Sequence, residues 1–249
     1  MSNFNAGQIR VPFTKAVKVL MIANFVIWFV GQLLIEGYGG IPIVKYLGLF
    51  PGKVLFEGAL WQLVTYMFLH SLSVSHILFN MLLLWFIGSE LETKWGTRFF
   101  CVYYLLSGIG AAVLYCLAIL IYSQFSGVQY GFMIPVIGAS GSIFGLLLAY
   151  GIIFGERIIH FMMVFPMKAK VFVLLLGGVE VLTLISTGVA GGDVANLAHL
   201  GGIASGFAII KGWNAYLQYQ WNKKAKKKNR NLKLVINNED QSKNPKFWN

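Results

Sequence analysis

Six long apolar segments are the feature of this 249-residue chain that most restricts its fold. Each approaches or reaches the roughly 17 to 25 residues that a helix needs to cross a bilayer, the fifth being marginally short. Only 12% of the residues are charged, against about a quarter in a soluble domain, and 57% are hydrophobic. This excludes a water-soluble globule and predicts an all-α membrane bundle. The predicted spans are residues 16–35, 75–91, 99–122, 136–154, 171–186 and 195–213.

Basic residues set the expected orientation of the spans. With six spans both termini lie on one side, which then holds all of the 20 Lys and Arg residues except Lys45 and Lys53. The positive-inside rule therefore predicts cytoplasmic termini. We interpret the short N-terminal segment as no transit peptide and therefore expect a bacterial-type cytoplasmic (inner) membrane. A basic run between Lys223 and Arg230 follows the last span, and its position favours anionic lipid headgroups over nucleic acid as its partner.

The predicted organisation is a single membrane domain with two polar ends. Residues 1–15 form a cytoplasmic segment, residues 16–213 the six-helix domain and residues 214–249 a basic, disordered tail. The apolar stretch 54–91 is too long for one span. We interpret its first half, around residues 60–69, as an interfacial or re-entrant piece.

Four polar side chains fall near one depth of this bundle. His76 and Asn80 begin span two, Ser140 lies early in span four and His199 early in span six, and these three spans run in the same direction. At about 1.5 Å per residue, all four lie within about 10 Å of the outer edge of the apolar layer. Polar side chains are costly in lipid, so this convergence indicates a shared, water-accessible site.

The residue types in this cluster are those used for acyl transfer. A serine hydroxyl is a weak nucleophile until a base takes its proton, so Ser140 and His199 form a candidate dyad. His76 and Asn80 are four residues apart, on one helix face, and both donate hydrogen bonds suited to an oxyanion. Phe144, one turn after Ser140, either packs on the imidazole or serves ordinary core packing.

Glycines accompany the serine and the histidine. Gly138 and Gly141 lie beside Ser140 and leave room for a neighbouring helix or a substrate backbone. Spans four and six each carry two glycines at four-residue spacing, and seams of this kind bring Ser140 and His199 together if they face each other. The two pairs are Gly141 with Gly145 and Gly202 with Gly206.

In this order the motifs resemble those of the rhomboid family of intramembrane serine proteases. The likeness extends over residues 16–213, including 61–70 before span two and 92–96 after it. Each motif alone is weak, whereas three in register are highly specific. They are His76-x-x-x-Asn80, Gly138-x-Ser140-Gly141 and Ala198-His199-x-Gly201-Gly202.

The resemblance implies a six-helix rhomboid-like fold and a serine endopeptidase that needs no cofactor or metal. Ser140 would attack the peptide bond with His199 as base and then acid, while the Ser140 N–H, His76 and Asn80 hold the oxyanion. Substrates would be single-pass membrane proteins cut in or near the outer part of their transmembrane segment. The fold would have a partly embedded first loop, about residues 36–74, and residues 171–194 would gate access. Supporting roles fall to Gly138, Gly141, Phe144 and Gly202.

Three positions depart from the family pattern. Six positions separate His70 from His76, where many relatives have five, and we assign His70 no catalytic role. Phe144 replaces the Tyr of some members, which removes a hydroxyl and keeps the ring. Glu180 in span five is not part of the pattern. It pairs with a polar neighbour, holds the gate shut when uncharged, or lies near the interface without a role, and we favour the last.

Other functions remain open at the level of sequence. The main alternative is a catalytically inactive rhomboid-like protein that binds membrane clients, although both Ser140 and His199 are present. A transporter or channel would show inverted repeats or broken helices, which we do not find. A metal hydrolase built on His70, His76 and His199 would lack a His-Glu-x-x-His motif and a nearby carboxylate.

Overall fold

The computed structural model describes residues 12–161, 165–188 and 195–230, most of them helical. Wide π turns occupy Ile27–Tyr38 and Leu84–Gly88 inside two of the helices. In chain order the elements are α1 (Lys15–Tyr38), α2 (Ile43–Leu47), α3 (Pro51–Phe56), α4 (Gln62–Thr65), α5 (Val74–Trp95), α6 (Thr97–Ser126), α7 (Ser140–Ile153), β1 (Ile158–Phe161), β2 (Phe165–Lys168), α8 (Ala169–Thr187) and α9 (Ala195–Arg230).

Within the described residues, α1, α5, α6 and α8 are long and apolar enough to cross a membrane. α7 is apolar but has only 14 residues, about 21 Å of helix against a hydrocarbon layer of about 30 Å. The protein is therefore an all-α, multi-pass membrane bundle, which confirms the predicted fold class. The count of six spans stays a prediction.

The helix that carries Ser140 begins later than the sequence predicted. Val136, the predicted first residue of span four, is extended and exchanges backbone hydrogen bonds of 2.9 and 3.0 Å with Leu49. Gly138 follows with φ +128°, which no helical residue adopts. The prediction of a helix from residue 136 was therefore wrong, and Ser140 is the first residue of α7. Its backbone N–H has no acceptor within the helix.

The segment between α1 and α5 folds into the short helices α2, α3 and α4. Thr65 donates its hydroxyl to the Leu47 carbonyl at 2.6 Å. Gln32 of α1 clamps the end of the segment, because its amide donates to the His70 carbonyl at 2.6 Å and accepts from the His70 N–H at 2.7 Å. These bonds satisfy backbone groups that no regular helix or sheet pairs.

A buried carboxylate on α5 holds the start of α1. The oxygens of Glu92 accept the N–H groups of Ala16 and Val17 at 2.9 to 3.0 Å and the Thr97 hydroxyl at 2.7 Å. Helix N-termini carry unpaired donors and a partial positive charge, both of which a carboxylate satisfies. The contact fixes α1 against α5.

The last helix continues beyond the predicted span. The sequence predicts a disordered tail from residue 214, whereas α9 extends to Arg230 through Lys- and Gln-rich sequence that favours helix. The part from Lys211 onward is a unit of its own. Residues 1–11, 231–249 and the end of the predicted gate, 189–194, lie outside the described residues, as do the side chains of the basic run from residue 226.

Candidate active site

The structure brings Ser140 and His199 together from two different helices. Ser140 lies at the start of α7 and His199 near the start of α9. The Ser140 Oγ is 2.8 Å from the His199 Nε2, a hydrogen-bond distance. A hydroxyl that donates to an unprotonated imidazole nitrogen is the arrangement by which a base activates serine.

Glycines allow this close approach. A Cβ at Gly202 would lie 2.0 Å from the Gly141 carbonyl oxygen, and one at Gly206 would lie 3.0 Å from the Gly145 Cα. The two glycine seams therefore face each other. Because each position packs directly on backbone, any larger side chain forces the helices apart.

The His199 ring is also held from its face. The Phe144 ring stacks on it with centroids 4.3 Å apart and planes 15° from parallel. Of the two uses the sequence left open for Phe144, the structure shows the packing on imidazole. Ser142, two residues after Ser140, is fully buried on the opposite side of α7 beside Gly108 of α6.

His76 presents a defined nitrogen to the same space. Its Nδ1 accepts the backbone N–H of Ser71 at 3.1 Å. The neutral ring therefore carries its proton on Nε2. A Cβ at Gly138 would lie 3.1 Å from that Nε2 and 3.6 Å from the Ser140 Oγ, so both atoms border one space. Glycine is required at position 138 because the backbone has a positive φ and because a side chain would fill the space between His76 and Ser140.

Asn80 lies one turn after His76 on α5 and is 6% exposed. Its Nδ2 donates to the His76 carbonyl at 2.8 Å, which uses one of the two amide hydrogens. A cavity of about 510 Å³ adjoins these groups. Its lining comes from α5, α7, α9 and the two loops before α5 and α7, and it includes Ser71, Ser75, His76, Phe79, Asn80, Leu83, Pro135, Val136, Ile137, Ser140, Ile143, Phe144, Ala195 and His199.

His70 lies behind this site. It is completely buried, and its ring centroid is 5.1 Å from that of His76. Burial, helped by the neighbouring His76, lowers the pKa of His70 to about 3. The ring is therefore neutral at physiological pH and supports His76 by packing.

Although the sequence favoured a position near the interface without a role, the structure shows a polar neighbour for Glu180. Its Oε1 is 3.1 Å from the His199 Nδ1, and the two side chains are 14% and 15% exposed. The sequence indicated only that Glu180 is unusual, because an acidic residue inside an apolar span is energetically costly. The sequence did not identify His199 as the neighbour of Glu180, because the contact arises from the packing of α8 beside α9.

The fold and the site define a multi-pass membrane protein with a serine–histidine pair in a cavity among its helices. The sequence model of the Rhomboid domain matches residues 57–213. The chain therefore belongs to the rhomboid family.

Relatives in the family include proteins named as proteases. Rhomboid protease GluP of Bacillus subtilis is 29% identical over 194 residues, which cover 76% of this chain and 33% of that protein. Rhomboid protease GlpG of Yersinia pseudotuberculosis is 27% identical over 201 residues, 80% of this chain and 61% of that protein. RHOMBOID-like protein 4 of Arabidopsis thaliana is 35% identical over 178 residues, 72% and 38% of the two chains. The chain thus spans 33% to 61% of the length of these relatives.

Proposed function

We propose that this chain is an intramembrane serine endopeptidase that acts through Ser140 and His199. The observation that carries the proposal is the 2.8 Å distance between the Ser140 Oγ and the His199 Nε2. The two relatives named rhomboid proteases support the same activity. No metal or cofactor takes part in the proposed chemistry.

The reaction proceeds in two halves. His199 Nε2 takes the hydroxyl proton as the Ser140 Oγ attacks the scissile carbonyl carbon, giving a tetrahedral oxyanion. The imidazolium then gives this proton to the departing amine nitrogen, and an acyl ester on Ser140 remains. A water molecule, deprotonated by the same His199, attacks the ester and releases the new carboxyl end.

Three donors surround the position of the oxyanion. The Ser140 N–H is free of helical partners because it begins α7. The His76 Nε2–H borders the same space, since its Nδ1 is occupied by the Ser71 N–H. Asn80 supplies an amide from the next turn. Donors of this kind act mainly on the transition state and therefore raise kcat more than they tighten substrate binding.

The proposed substrates are single-pass membrane proteins. A helical segment hides its carbonyl carbons behind side chains and turns, so a scissile bond must be locally extended to reach Ser140. Small or helix-destabilising residues in the outer part of a transmembrane segment meet that need. We also propose cytoplasmic termini in a bacterial inner membrane, with the basic tail on anionic headgroups, from the distribution of Lys and Arg.

Labelling with a serine-reactive fluorophosphonate tests the proposal. We expect the detergent-solubilised native protein to label, and Ser140→Ala and His199→Ala to lose labelling. Ser142→Ala is the matched control, because Ser142 lies on the same helix but faces α6. This variant is expected to label at Ser140 like the native protein. Labelling that persists in Ser140→Ala contradicts the nucleophile assignment. A folded native protein that neither labels nor cleaves a transmembrane test substrate in liposomes favours a client-binding protein without activity.

A kinetic measurement tests the oxyanion donors separately. Asn80→Ala is expected to lower kcat by roughly 10²-fold, the typical cost of one oxyanion donor, with a smaller change in KM. An unchanged kcat removes Asn80 from the site.

A further inference from the structure

Glu180 is an ionisable residue in the middle of an otherwise apolar helix. α8 runs from Ala169 to Thr187 and buries only Ala169 and Phe172 among its described residues. Two leucines of the same helix, Leu174 and Leu182, are 72% and 67% exposed on the surface of the protein. The Glu180 side chain, in contrast, is 14% exposed and turned toward α9.

The carboxylate lies beside the imidazole nitrogen that the serine does not use. The Glu180 Oε1 is 3.1 Å from the His199 Nδ1, while the Nε2 of the same ring is 2.8 Å from the Ser140 Oγ. The contact is at ion-pair distance but is not a hydrogen bond, because the His199 Nδ1 has no hydrogen-bond partner among the described residues. Neither the Nδ1 nor the Glu180 Oε2 has a hydrogen-bond partner among the described residues.

We propose that Glu180 is a positioning residue for His199, and this inference rests on the proposed serine endopeptidase activity. For Ser140 to donate to the Nε2, the single proton of the neutral ring must be on the Nδ1. A carboxylate beside the Nδ1 stabilises that tautomer and, during the reaction, the imidazolium. Ser140, His199 and Glu180 then form a triad, in which the third member comes from a separate helix.

The location of Glu180 gives the contact a second consequence. Phe144 and Ser140 hold His199 from α7, whereas Glu180 reaches it from α8, which is attached to the rest of the bundle by few buried residues. The imidazole is therefore fully oriented only while α8 lies against α9. A latch that keeps α8 closed would use the same contact between Glu180 and His199. Removing a positioning residue lowers kcat, whereas removing a latch raises it.

Kinetics of Glu180 variants separate these roles. In liposomes containing a transmembrane test substrate, Glu180→Gln removes the charge with little change in volume. We expect kcat to fall roughly 100-fold with KM changed less than threefold, a smaller loss than the roughly 10⁴-fold for the aligned carboxylate of a serine protease triad. Glu180→Asp keeps the charge and is expected to recover part of kcat. Native kcat in Glu180→Gln overturns the proposal, and a raised kcat overturns it in favour of a latch.

Glu36→Gln is the matched control. It makes the same chemical change at the outer part of α1, where the carboxylate accepts the Val44 N–H at 3.2 and 3.3 Å and does not line the cavity. Its kcat is expected to equal that of the native chain. A loss as large as that of Glu180→Gln shows a general effect of removing charge and overturns the specific role of Glu180.

A measurement independent of activity keeps this inference separate from the proposed function. The chain has four histidines, so ¹⁵N NMR can resolve the imidazole nitrogens of His199. The native protein is expected to carry the proton on the Nδ1, and Glu180→Gln to shift population to the Nε2–H tautomer. Identical tautomer populations overturn the positioning role. If the native protein has the expected tautomer but an unreactive Ser140, the proposed function is contradicted and the positioning of His199 by Glu180 is not.

Discussion

Two apolar helices of this protein, α6 and α8, are held in very different ways. Eleven residues of α6 are buried, while α8 buries Ala169 and Phe172 within the part of the chain that the structure describes. Both are long and apolar enough to cross a membrane. The difference teaches that apolar character decides whether a helix enters the membrane, whereas the placement of small residues decides how tightly it is held there.

Glycine positions show the physical reason. A Cβ at Gly108 of α6 would lie 2.4 Å from the Ser142 Oγ, and one at Gly178 of α8 would meet nothing within 4 Å. Small residues on α6 thus face other helices and allow close packing, while Gly178 of α8 faces open space. Ser140 and His199 belong to the tightly packed part, and Glu180 contacts His199 from the loosely held helix.

The largest effect is expected at the seam between α7 and α9. Gly202→Ala places a methyl group 2.0 Å from the Gly141 carbonyl oxygen, where only backbone can yield. We expect the free energy of unfolding to fall by about 3 kcal/mol or more, together with loss of fluorophosphonate labelling at Ser140. Denaturant unfolding in micelles measures the first and gel fluorescence the second. Native stability in this variant would show that the helices separate at little cost.

The second prediction compares two carboxylates that contact other helices, the buried Glu92 and the half-buried Glu180. Glu92→Gln removes the charge that accepts two N–H groups and a hydroxyl at the start of α1, and we expect a loss of about 2 kcal/mol in the free energy of unfolding. Glu180→Gln should change stability by less than about 0.5 kcal/mol. If the two variants unfold alike, Glu180 is a structural anchor and the comparison fails.

The third prediction concerns the pH dependence of the free energy of unfolding, which the buried His70 is expected to cause. The pKa of His70 is about 3 in the folded protein, because the ring is buried, and about 6.5 when the chain is unfolded. The unfolded state therefore takes up a proton below pH 6.5 that the folded state refuses, and stability falls by up to about 1.4 kcal/mol per pH unit between pH 6.5 and 3. Above pH 6.5 this contribution is constant.

His70→Gln removes that titration and keeps the backbone clamp with Gln32. We expect its free energy of unfolding to depend less on pH between 6.5 and 5 than that of the native chain. Parallel curves for the two proteins would show that His70 is protonated without cost in the folded state.

The smallest effect is expected on α8. Gly178→Ala adds a methyl group where nothing lies within 4 Å, and alanine favours helix over glycine by up to about 1 kcal/mol. Thermal unfolding in the same micelles should show unchanged or slightly raised stability, with labelling retained. A destabilisation close to that of Gly202→Ala would mean that α8 is packed as tightly as α9.

Features of the site that depend on local spacing were predictable from sequence, and those that depend on distant pairings were not. His76 and Asn80 share a helix face because four residues make one turn, and that spacing is visible in the chain. The start of α7 was not visible, because it depends on Val136 pairing with Leu49, far away in sequence. The sequence placed Ser140 inside a span, whereas the structure has it at a helix N-terminus with a free N–H.

The sequence by itself determined that this is a multi-pass, all-α membrane protein of the rhomboid family, since hydropathy, helical spacing and motif order are properties of nearby residues. Only the tertiary structure decided that Ser71 fixes the proton of His76, that the glycine seams of α7 and α9 meet, and that Glu180 lies beside His199. Each of these depends on which helix faces lie together. Helices of similar apolar composition pack in many ways, and the contacts between particular small and polar side chains select one.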